Sequence, residues 1–328
     1  MARRLTHVVT TPAAARLPHE WSHPFVSLLS DWGARDPSAA ICRSVVLGIA
    51  PEALIVDITH EVEKFNIRHG ALMLWCALPF MPIGAHLAVV DPGVGTARRS
   101  IAIETARGDY LVGPDNGLLL PAAQRLGGAV RAHLIENAQY RLPVVTPTFH
   151  GRDIFAPAAA HLALGVPLES IGPAVDPSAL ADIDWPPVIV RPDELETTII
   201  YRDTFGNVKL AGLTADLLDA LDGIAHGKRV SVTFERAGRR KQTLEVTWAP
   251  TFGEVALGEY LLYEDSYGRL CIAQNQGNAT ESLGLEELDT VHVRRVKARA
   301  PSKRRARSPR EGSPLRGAGV TPEAEKGA

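Results

Sequence analysis

Short apolar runs alternate with stretches of helical periodicity over the first half of the chain. Residues 25–30, 54–58 and 86–90 are apolar runs of strand length. Residues 38–49 and 67–76 lie between these runs and carry apolar side chains at helical spacing. Strands that alternate with helices are typical of a parallel sheet covered by helices. The pattern therefore predicts an α/β fold with a largely parallel sheet in this half.

The pattern changes after a proline-rich, acidic stretch from Pro173 to Pro192. Beyond this stretch, short apolar segments and turns follow one another, and helical segments become scarce. The second half is therefore predicted to be an all-β domain. Its predicted strands are residues 197–201, 230–235, 243–248, 260–263 and 270–273.

These changes divide the chain into five segments. We predict a disordered leader over 1–23, an α/β domain over 24–175, a linker over 176–192, a β domain over 193–296 and a disordered basic tail over 297–328. The leader has no continuous apolar segment, so it does not resemble a secretory signal. The longest apolar run elsewhere is too short to cross a bilayer.

Composition and charge narrow the class of protein. The chain has 328 residues, which favours two domains, and 45% hydrophobic with 22% charged residues is typical of a globular protein. Residues 294–316 hold ten basic residues and one acid, whereas the body is acidic. An acidic body is not typical of a nucleic-acid enzyme. We expect neither a nucleic-acid nor a membrane partner, and we interpret the tail as a solvated extension.

Three separated cysteines, Cys42, Cys76 and Cys271, indicate buried free thiols and a cytoplasmic location. One formal zinc motif, HExxH, begins at His19, but prolines bracket it and no predicted helix carries it. We therefore expect no metal.

Polar segments rich in glycine follow several predicted strands, where α/β proteins bind ligands. Taken singly, their residues have ordinary structural explanations: Asp31 can close a turn, Arg98 can be a surface residue, and His150 can be structural. Several aspartates with His150 would also suit a metal-dependent hydrolase. The segments are SDWGARD (30–36), VDPGVGTARR (90–99), VGPDNGLL (112–119), TFHGRDIFAP (148–157) and RDTFGN (202–207).

In order and spacing, these segments resemble the S-adenosylmethionine hydroxide adenosyltransferases, relatives of the fluorinase and chlorinase enzymes. The resemblance covers residues 25–295. It implies a C-terminal barrel-like domain and a homotrimer with its sites between subunits. It also implies a function, hydrolysis of S-adenosyl-L-methionine to adenosine and L-methionine without a cofactor. The matching pieces are SDWG, PEALIVDITHEV, VVDPGVGTARRSIAIE, GPDNGLL, TFHGRDIFAPAAAHLA, DTFGN and SYGRLCIAQNQGNA.

The resemblance assigns catalysis to Asp91, Arg98 and His150, which match the residue set of the hydroxide-using enzymes. The halogenases have Tyr in place of Asp91, Ser in place of Gly151 and an extra loop before the GPDNGLL turn. In this chain only six residues separate Glu104 from Leu111, so that loop is missing. Arg98 and His150 are expected to position a water and stabilise hydroxide, with Asp91 orienting Arg98 and the proton passing to His150 or to solvent.

The resemblance also implies the substrate contacts. Asp31 matches an acid that holds the ribose hydroxyls, and Phe65 matches a residue that lines the pocket beside the ribose. Asp203 is expected near the methionine ammonium. Three further matches are Asn207 and Phe252 at the adenine and Ser266 at the methionine carboxylate.

The sequence departs from the fluorinase at Tyr267, which stands where that enzyme has an arginine, and from many relatives at Asn66, where an aspartate is common. Two alternatives to the hydrolase remain open at this stage. They are a chlorinase-like halide-using transferase and a non-catalytic sensor of S-adenosylmethionine or adenosine.

Overall fold

A computed structural model describes residues 3–4, as backbone only, and residues 23–296. The predicted leader and basic tail therefore lie outside the described residues, apart from residues 3–4 and His23. The same holds for the HExxH motif, of which only His23 is described.

The N-terminal half forms a seven-stranded sheet in the order β3-β2-β4-β6-β5-β7-β8. Neighbours from β3 to β6 pair in parallel, whereas β5, β7 and β8 pair antiparallel. A short turn over residues 106–109 joins β5 to β6, and such a connection can join only antiparallel strands. The strands are β2 (Phe25–Ser30), β3 (Leu54–Thr59), β4 (Ala85–Val89), β5 (Ser100–Thr105), β6 (Tyr110–Pro114), β7 (Ala129–Leu134) and β8 (Ala174–Val175).

Helices cover both faces of this sheet, because its central strands are apolar on both sides. Leu28 packs in one core with α1 and α4, and its neighbour Leu29 packs in the opposite core with α2. The helices are α1 (Ser38–Ile49), α2 (Ile67–Ala77), α3 (Leu120–Arg125) and α4 (Ala156–Ala163). The α/β prediction for this half is confirmed.

The C-terminal half is a closed barrel of seven strands in the order β10-β11-β15-β14-β13-β12-β16, with β16 pairing back to β10. Two short strands, β1 (Arg3–Arg4) and β9 (Ile189–Arg191), extend the sheet beside β10. The barrel strands are β10 (Glu194–Arg202), β11 (Val208–Leu213), β12 (Arg229–Glu235), β13 (Gln242–Trp248), β14 (Tyr260–Glu264), β15 (Arg269–Gln274) and β16 (Thr290–Arg295).

Alternate barrel residues, among them Trp248, point inward and form a separate core. The barrel-like prediction is thus confirmed, but the half is not purely β, since α5 (Thr214–Ala220) and α6 (Ala279–Leu283) connect strands. Strand β9 lies inside the segment predicted as a linker and pairs with β10. The hydrogen bonds between β9 and β10 satisfy backbone N–H and C=O groups in this segment. A proline-rich linker would instead expose these groups to water. Among the described residues, no helix is long and apolar enough to span a membrane.

Candidate active site

Three loops of the N-terminal half bring Asp91, Arg98 and His150 together. Asp91 follows β4, Arg98 precedes β5, and His150 immediately precedes a π-helical turn, Gly151–Phe155. Arg98 Nε donates to both carboxylate oxygens of Asp91 at 3.0 Å, and Nη2 donates to Oδ2 at 2.5 Å. Nη2 also lies 2.8 Å from Nδ1 of His150. One guanidinium therefore links the carboxylate to the imidazole.

The Arg98 guanidinium is almost fully engaged by the protein. Nη1 donates to Ser100 Oγ at 2.8 Å, and the Arg99 carbonyl lies 3.5 Å away. The guanidinium carbon also lies 5.1 Å from the centre of the Phe155 ring. An arginine has five N–H bonds, and four of them have close partners here. Arg98 is therefore fixed in position, with little capacity left to bind water directly.

The contact with Arg98 sets the proton on His150. An arginine can only donate, so Nδ1 of His150 must accept, and the ring proton lies on Nε2. Burial lowers the pKa of His150 below its ordinary value, and the positive charge of Arg98 lowers it further. His150 is consequently neutral near pH 7 and presents a single N–H donor at Nε2.

Asp153 holds the turn that carries His150. Its carboxylate accepts hydrogen bonds from the backbone N–H and the hydroxyl of Thr146, at 2.8 and 2.7 Å, and from Arg152. The side chain of Asp153 is fully buried, and these bonds keep its pKa low against the effect of burial. The loop before His150 is thereby tied to the π-helical turn after it.

Close backbone packing joins the loop of Asp91 to the loop of His150. Gly95 has φ +77°, and a Cβ at this position would lie 2.5 Å from the Pro147 carbonyl oxygen. Only glycine allows both this conformation and this approach.

Trp32 packs directly on the turn after His150. A Cβ added to Gly151 would lie 2.8 and 2.9 Å from two atoms of the Trp32 indole. The indole also meets Phe149 edge-on at 5.6 Å and lies parallel to the His60 ring at 6.4 Å. This residue thus fills the space beside the candidate catalytic group.

Asp31, the predicted ribose ligand, is bonded to the loop of Phe65, the predicted pocket wall. Asp31 Oδ2 accepts a hydrogen bond of 2.9 Å from the Phe65 backbone N–H. Phe65 has φ +65°, a strained value for a bulky residue, and its side chain is 69% exposed. Such strain is typical of functional loops that the surrounding structure holds in place.

A cavity of about 530 Å³ opens beside Phe65. Asn116, from the GPDNGLL turn, lies in its wall, where its side chain bonds the Val90 carbonyl and the Leu118 N–H. Asp182 and Asp184, from the acidic segment predicted as a linker, also line it. The full lining is residues 63–68, Asn116 and residues 182–184.

The barrel carries the remaining predicted contacts in two turns and a short helical segment. Asp203 accepts from the backbone and side-chain amides of Asn207, each at 2.9 Å, so it fixes the predicted adenine ligand. Phe252 lies 4.9 Å from the Tyr263 ring and is partly exposed. Ser266 is exposed in the turn between β14 and β15.

The structure therefore gathers the sequence-predicted residues into separate groups. Asp91, Arg98 and His150 form one, Asp31 and Phe65 a second, and Asp203 and Asn207 a third. Across the described part of the chain, no hydrogen bond, ion pair or ring contact joins the barrel residues to the other two groups.

Sequence reasoning missed Ser100, Trp32 and Asp153. Ser100 could have been predicted from the sequence. It lies two residues after Arg98 in an extended segment, and alternate side chains of such a segment point to the same side. The contact between Trp32 and Gly151 could not have been predicted in this way, because the two residues are far apart in sequence.

A serine–histidine–aspartate arrangement also occurs, away from this site. Ser27 Oγ lies 2.7 Å from His86 Nδ1, and His86 Nε2 lies 3.1 Å from Asp109. All three side chains are buried, so no substrate can reach the hydroxyl. Between residues 23 and 296, no group of three or more potential metal-ligating side chains is found.

Comparison with known proteins places these residues in a family context. Residues 26–172 match the SAM hydroxide adenosyltransferase N-terminal domain, and residues 197–292 match the C-terminal domain of the same family.

Among curated proteins, the chain is 43% identical to the "(R)-S-adenosyl-L-methionine hydrolase" of Salinispora tropica, over 82% of this chain and 97% of that protein. It is 42% identical to the protein of that name from Thermus thermophilus, over 80% and 96%. A fluorinase from Actinopolyspora mzabensis is 27% identical over 84% and 98%. An uncharacterized conserved protein from Thermotoga maritima has a similar crystal structure, with a TM-score of 0.76, 36% identity and coverage of 82% and 100%.

Proposed function

Because the chain belongs to the SAM hydroxide adenosyltransferase family, we infer that it hydrolyses S-adenosyl-L-methionine to adenosine and L-methionine. The observation that carries this inference is the Arg98 guanidinium, which holds Asp91 and His150 in one hydrogen-bonded unit. The names of the relatives further indicate the (R)-sulfonium epimer as the substrate.

The chemistry is an in-line displacement at the 5′ carbon of the ribose. The water oxygen forms a bond to this carbon, and the bond to sulfur breaks with its electron pair remaining on sulfur. Methionine leaves as a neutral thioether, so the leaving group needs no acid. The difficulty is the nucleophile, because the water must lose a proton. Holding the oxygen in line contributes on the order of 7 kcal/mol in favourable cases.

Arg98 acts through its neighbours in this proposal. Its N–H groups are occupied, so His150 contacts the nucleophile through Nε2–H and stabilises the developing hydroxide. Nδ1 of His150 is already an acceptor, which disfavours His150 as the proton acceptor. Among the described residues, Oδ1 of Asp91 accepts a hydrogen bond only from Arg98 Nε, so one of its lone pairs has no protein donor there. The proton therefore leaves through Asp91 or directly to solvent.

The substrate contacts follow the positions described above. Asp31 binds the ribose hydroxyls and Phe65 forms the adjoining wall. The barrel supplies Asn207 and Phe252 to the adenine, Ser266 to the carboxylate and Asp203 to the ammonium. We also propose a homotrimer in which each site lies between two subunits, as the resemblance to the family implies.

Two structural features favour hydroxide over halide. Trp32 occupies the space that a serine at position 151 would need. The connection between β5 and β6 is a short turn over residues 106–109, with no inserted loop. The sensor alternative is disfavoured because Asp91, Arg98 and His150 are hydrogen-bonded together. We further propose that the reaction needs no metal and takes place in the cytoplasm.

Chromatography of the purified, EDTA-treated protein with each S-adenosylmethionine epimer tests this function, with and without excess chloride. We expect equal amounts of adenosine and methionine from the (R) epimer, independent of chloride and EDTA. A 5′-chlorinated nucleoside would establish the halide reaction, and loss of activity with EDTA would establish a metal enzyme. Tight binding without turnover would establish the sensor.

A further inference from the structure

A cluster of two buried and one partly buried cationic side chains lies against the turn that carries Ser266. We define the cationic cluster as Arg125 of α3, Lys209 of β11 and Arg269 of β15. Arg125 and Arg269 both lie over the ring of Trp75 in α2, with their guanidinium carbons 3.5 and 4.4 Å from its centre. The cluster therefore brings together both halves of the chain.

The three positive charges of this cluster have only one carboxylate, Asp265, paired with them among the described residues. Asp265 is the carboxylate that pairs with Lys209, which leaves two arginines for which no ion pair is found among the described residues. Arg269 and Lys209 are each only 8% exposed. Burial lowers the pKa of both Arg125 and Arg269. Uncompensated buried charge is costly, so a purely structural role would favour neutral residues here.

Several N–H groups of the cluster have no acceptor. Nε and Nη1 of Arg125 and Nε of Arg269 are buried without a hydrogen-bond partner in the described residues. Buried donors are nearly always satisfied in proteins, and unsatisfied donors need an explanation. The Trp75 ring compensates in part through cation–π contact. The remaining excess charge produces a positive potential at the neighbouring surface.

The turn that carries Ser266 is fixed directly on this cluster. Asp265 Oδ1 accepts hydrogen bonds of 2.9 Å from the backbone N–H groups of Tyr267 and Arg269, while Oδ2 pairs with Lys209. The Lys209 ammonium also lies 5.1 Å from the centre of the Tyr267 ring. Ser266 thus lies exposed at the tip of a turn whose base is positively charged.

We propose that the cationic cluster binds the α-carboxylate of the methionine moiety through its field at Ser266. It replaces the direct arginine contact that Tyr267 cannot make. Arg125 is the main determinant, since among the described residues it has neither an ion pair nor a hydrogen bond, whereas Arg269 donates to the Ala211 carbonyl. This inference rests on the proposed function.

The test compares S-adenosylmethionine with its decarboxylated analogue, which lacks the anionic group. Arg125→Gln should raise KM for S-adenosylmethionine about tenfold with kcat little changed, the effect expected of one partly screened charge. The kcat/KM for the decarboxylated analogue should stay within about twofold. Arg131→Gln is the matched control, because Arg131 is half exposed and pairs with Glu104 and Glu169.

Equal losses for the two substrates would overturn the proposal, since they would show that Arg125 only supports the fold. Should Arg125→Gln fail to fold, the wild-type protein decides, because equal kcat/KM values for the two substrates also overturn it. A wild-type protein that releases no adenosine from either substrate would instead refute the proposed function.

Discussion

Arg98 donates from Nη2 to Nδ1 of His150 over 2.8 Å, and this bond fixes which nitrogen of the imidazole carries the proton. The same guanidinium is held by Asp91 and Ser100. The carboxylate, the guanidinium and the imidazole therefore act as one unit, and altering any of them changes the others.

Replacing Arg98 with lysine should separate charge from geometry. Lysine keeps the charge but lacks the planar fork that reaches Asp91, Ser100 and His150 at once. We expect kcat to fall about 100-fold or more, because His150, the donor to the transition state, is no longer held in position by Arg98. The dissociation constant for substrate should change little. Single-turnover release of adenosine and calorimetric binding measure the two quantities.

The neighbouring Arg99 provides the control for this substitution. Arg99 pairs with Asp115 and the Ala179 carbonyl, away from His150. Arg99→Lys should therefore leave kcat close to wild type. If Arg98→Lys keeps the kcat of the wild type, Asp91, Arg98 and His150 do not act as one hydrogen-bonded unit.

The pH dependence of kcat should report His150. Its folded pKa is lowered below the ordinary 6.5 by burial and by Arg98. The neutral form is the active one, because protonation places a hydrogen on Nδ1 against the Arg98 donor. We expect kcat to be constant at neutral pH and to fall as the pH drops through an apparent pKa below 6.5. The measurement is a pH–rate profile of adenosine release.

His150→Gln supplies the comparison for that profile. The variant should be slow, and its profile should lose the acidic limb, since glutamine does not titrate. Activity that rises with acidity in the wild type would contradict a neutral His150.

Gly151→Ser should strain the contact with Trp32. The added atoms meet the indole rather than open space, and overpacking of this kind costs about 1–3 kcal/mol. The melting temperature should fall accordingly. Gly48→Ser is the matched control, because a Cβ there has nothing within 4 Å.

Shrinking the indole should relieve this strain. The double variant Trp32→Leu with Gly151→Ser should recover part of the stability lost in Gly151→Ser alone. A double-mutant cycle without coupling would show that the two residues do not compete for space.

The buried Ser27, His86 and Asp109 should contribute to stability and not to turnover. Ser27→Ala removes a buried hydrogen bond, and we expect a loss of about 1 kcal/mol in unfolding free energy with kcat unchanged. Chemical denaturation and the adenosine assay measure these effects. Labelling of Ser27 by a serine-directed phosphonate would contradict its burial.

The pKa of Asp109, in the same network, predicts that the fold loses stability in acid. Burial alone would raise its pKa, but hydrogen bonds from His86 and Arg107 lower it to about 2. A lowered carboxyl pKa stabilises the fold above the unfolded value of about 3.9. This contribution should disappear as the pH falls from about 4 through 2. Thermal melting of wild type and Asp109→Asn over this range should show the difference shrink; a constant difference would contradict the assignment.

In the N-terminal half, the local pattern predicted strands β2, β3 and β4 and helices α1 and α2, because these strands are continuous apolar runs. Helix α1 begins at Ser38 and ends at Ile49, as its spacing predicts. Strands β11 and β16 were missed. Strand β11 contains Lys209 and Gly212 and gains its stability from pairing with β10 and β15, which are distant interactions that a local pattern does not contain.

The candidate site divides in a similar way. The resemblance selected Asp91, Arg98 and His150, and the structure brings them together. The sequence does not reveal which hydrogen of Arg98 contacts which acceptor. For this reason it could not exclude His150 as the base that takes the proton from water. The cationic cluster also escaped prediction, because Arg125, Lys209 and Arg269 lie far apart along the chain and meet only at Trp75.

The closure of the barrel by β16 has a consequence for how the protein is made. Thr197 of β10 pairs with Val291 of β16, roughly a hundred positions later in the chain. A ribosome adds residues in order, so the edge of β10 that pairs with β16 remains unpaired while the intervening strands are synthesised. Contacts between such distant residues also form slowly. Premature truncation before β16 should therefore leave a nascent chain with an exposed strand edge, which can pair with a strand of another chain and cause aggregation.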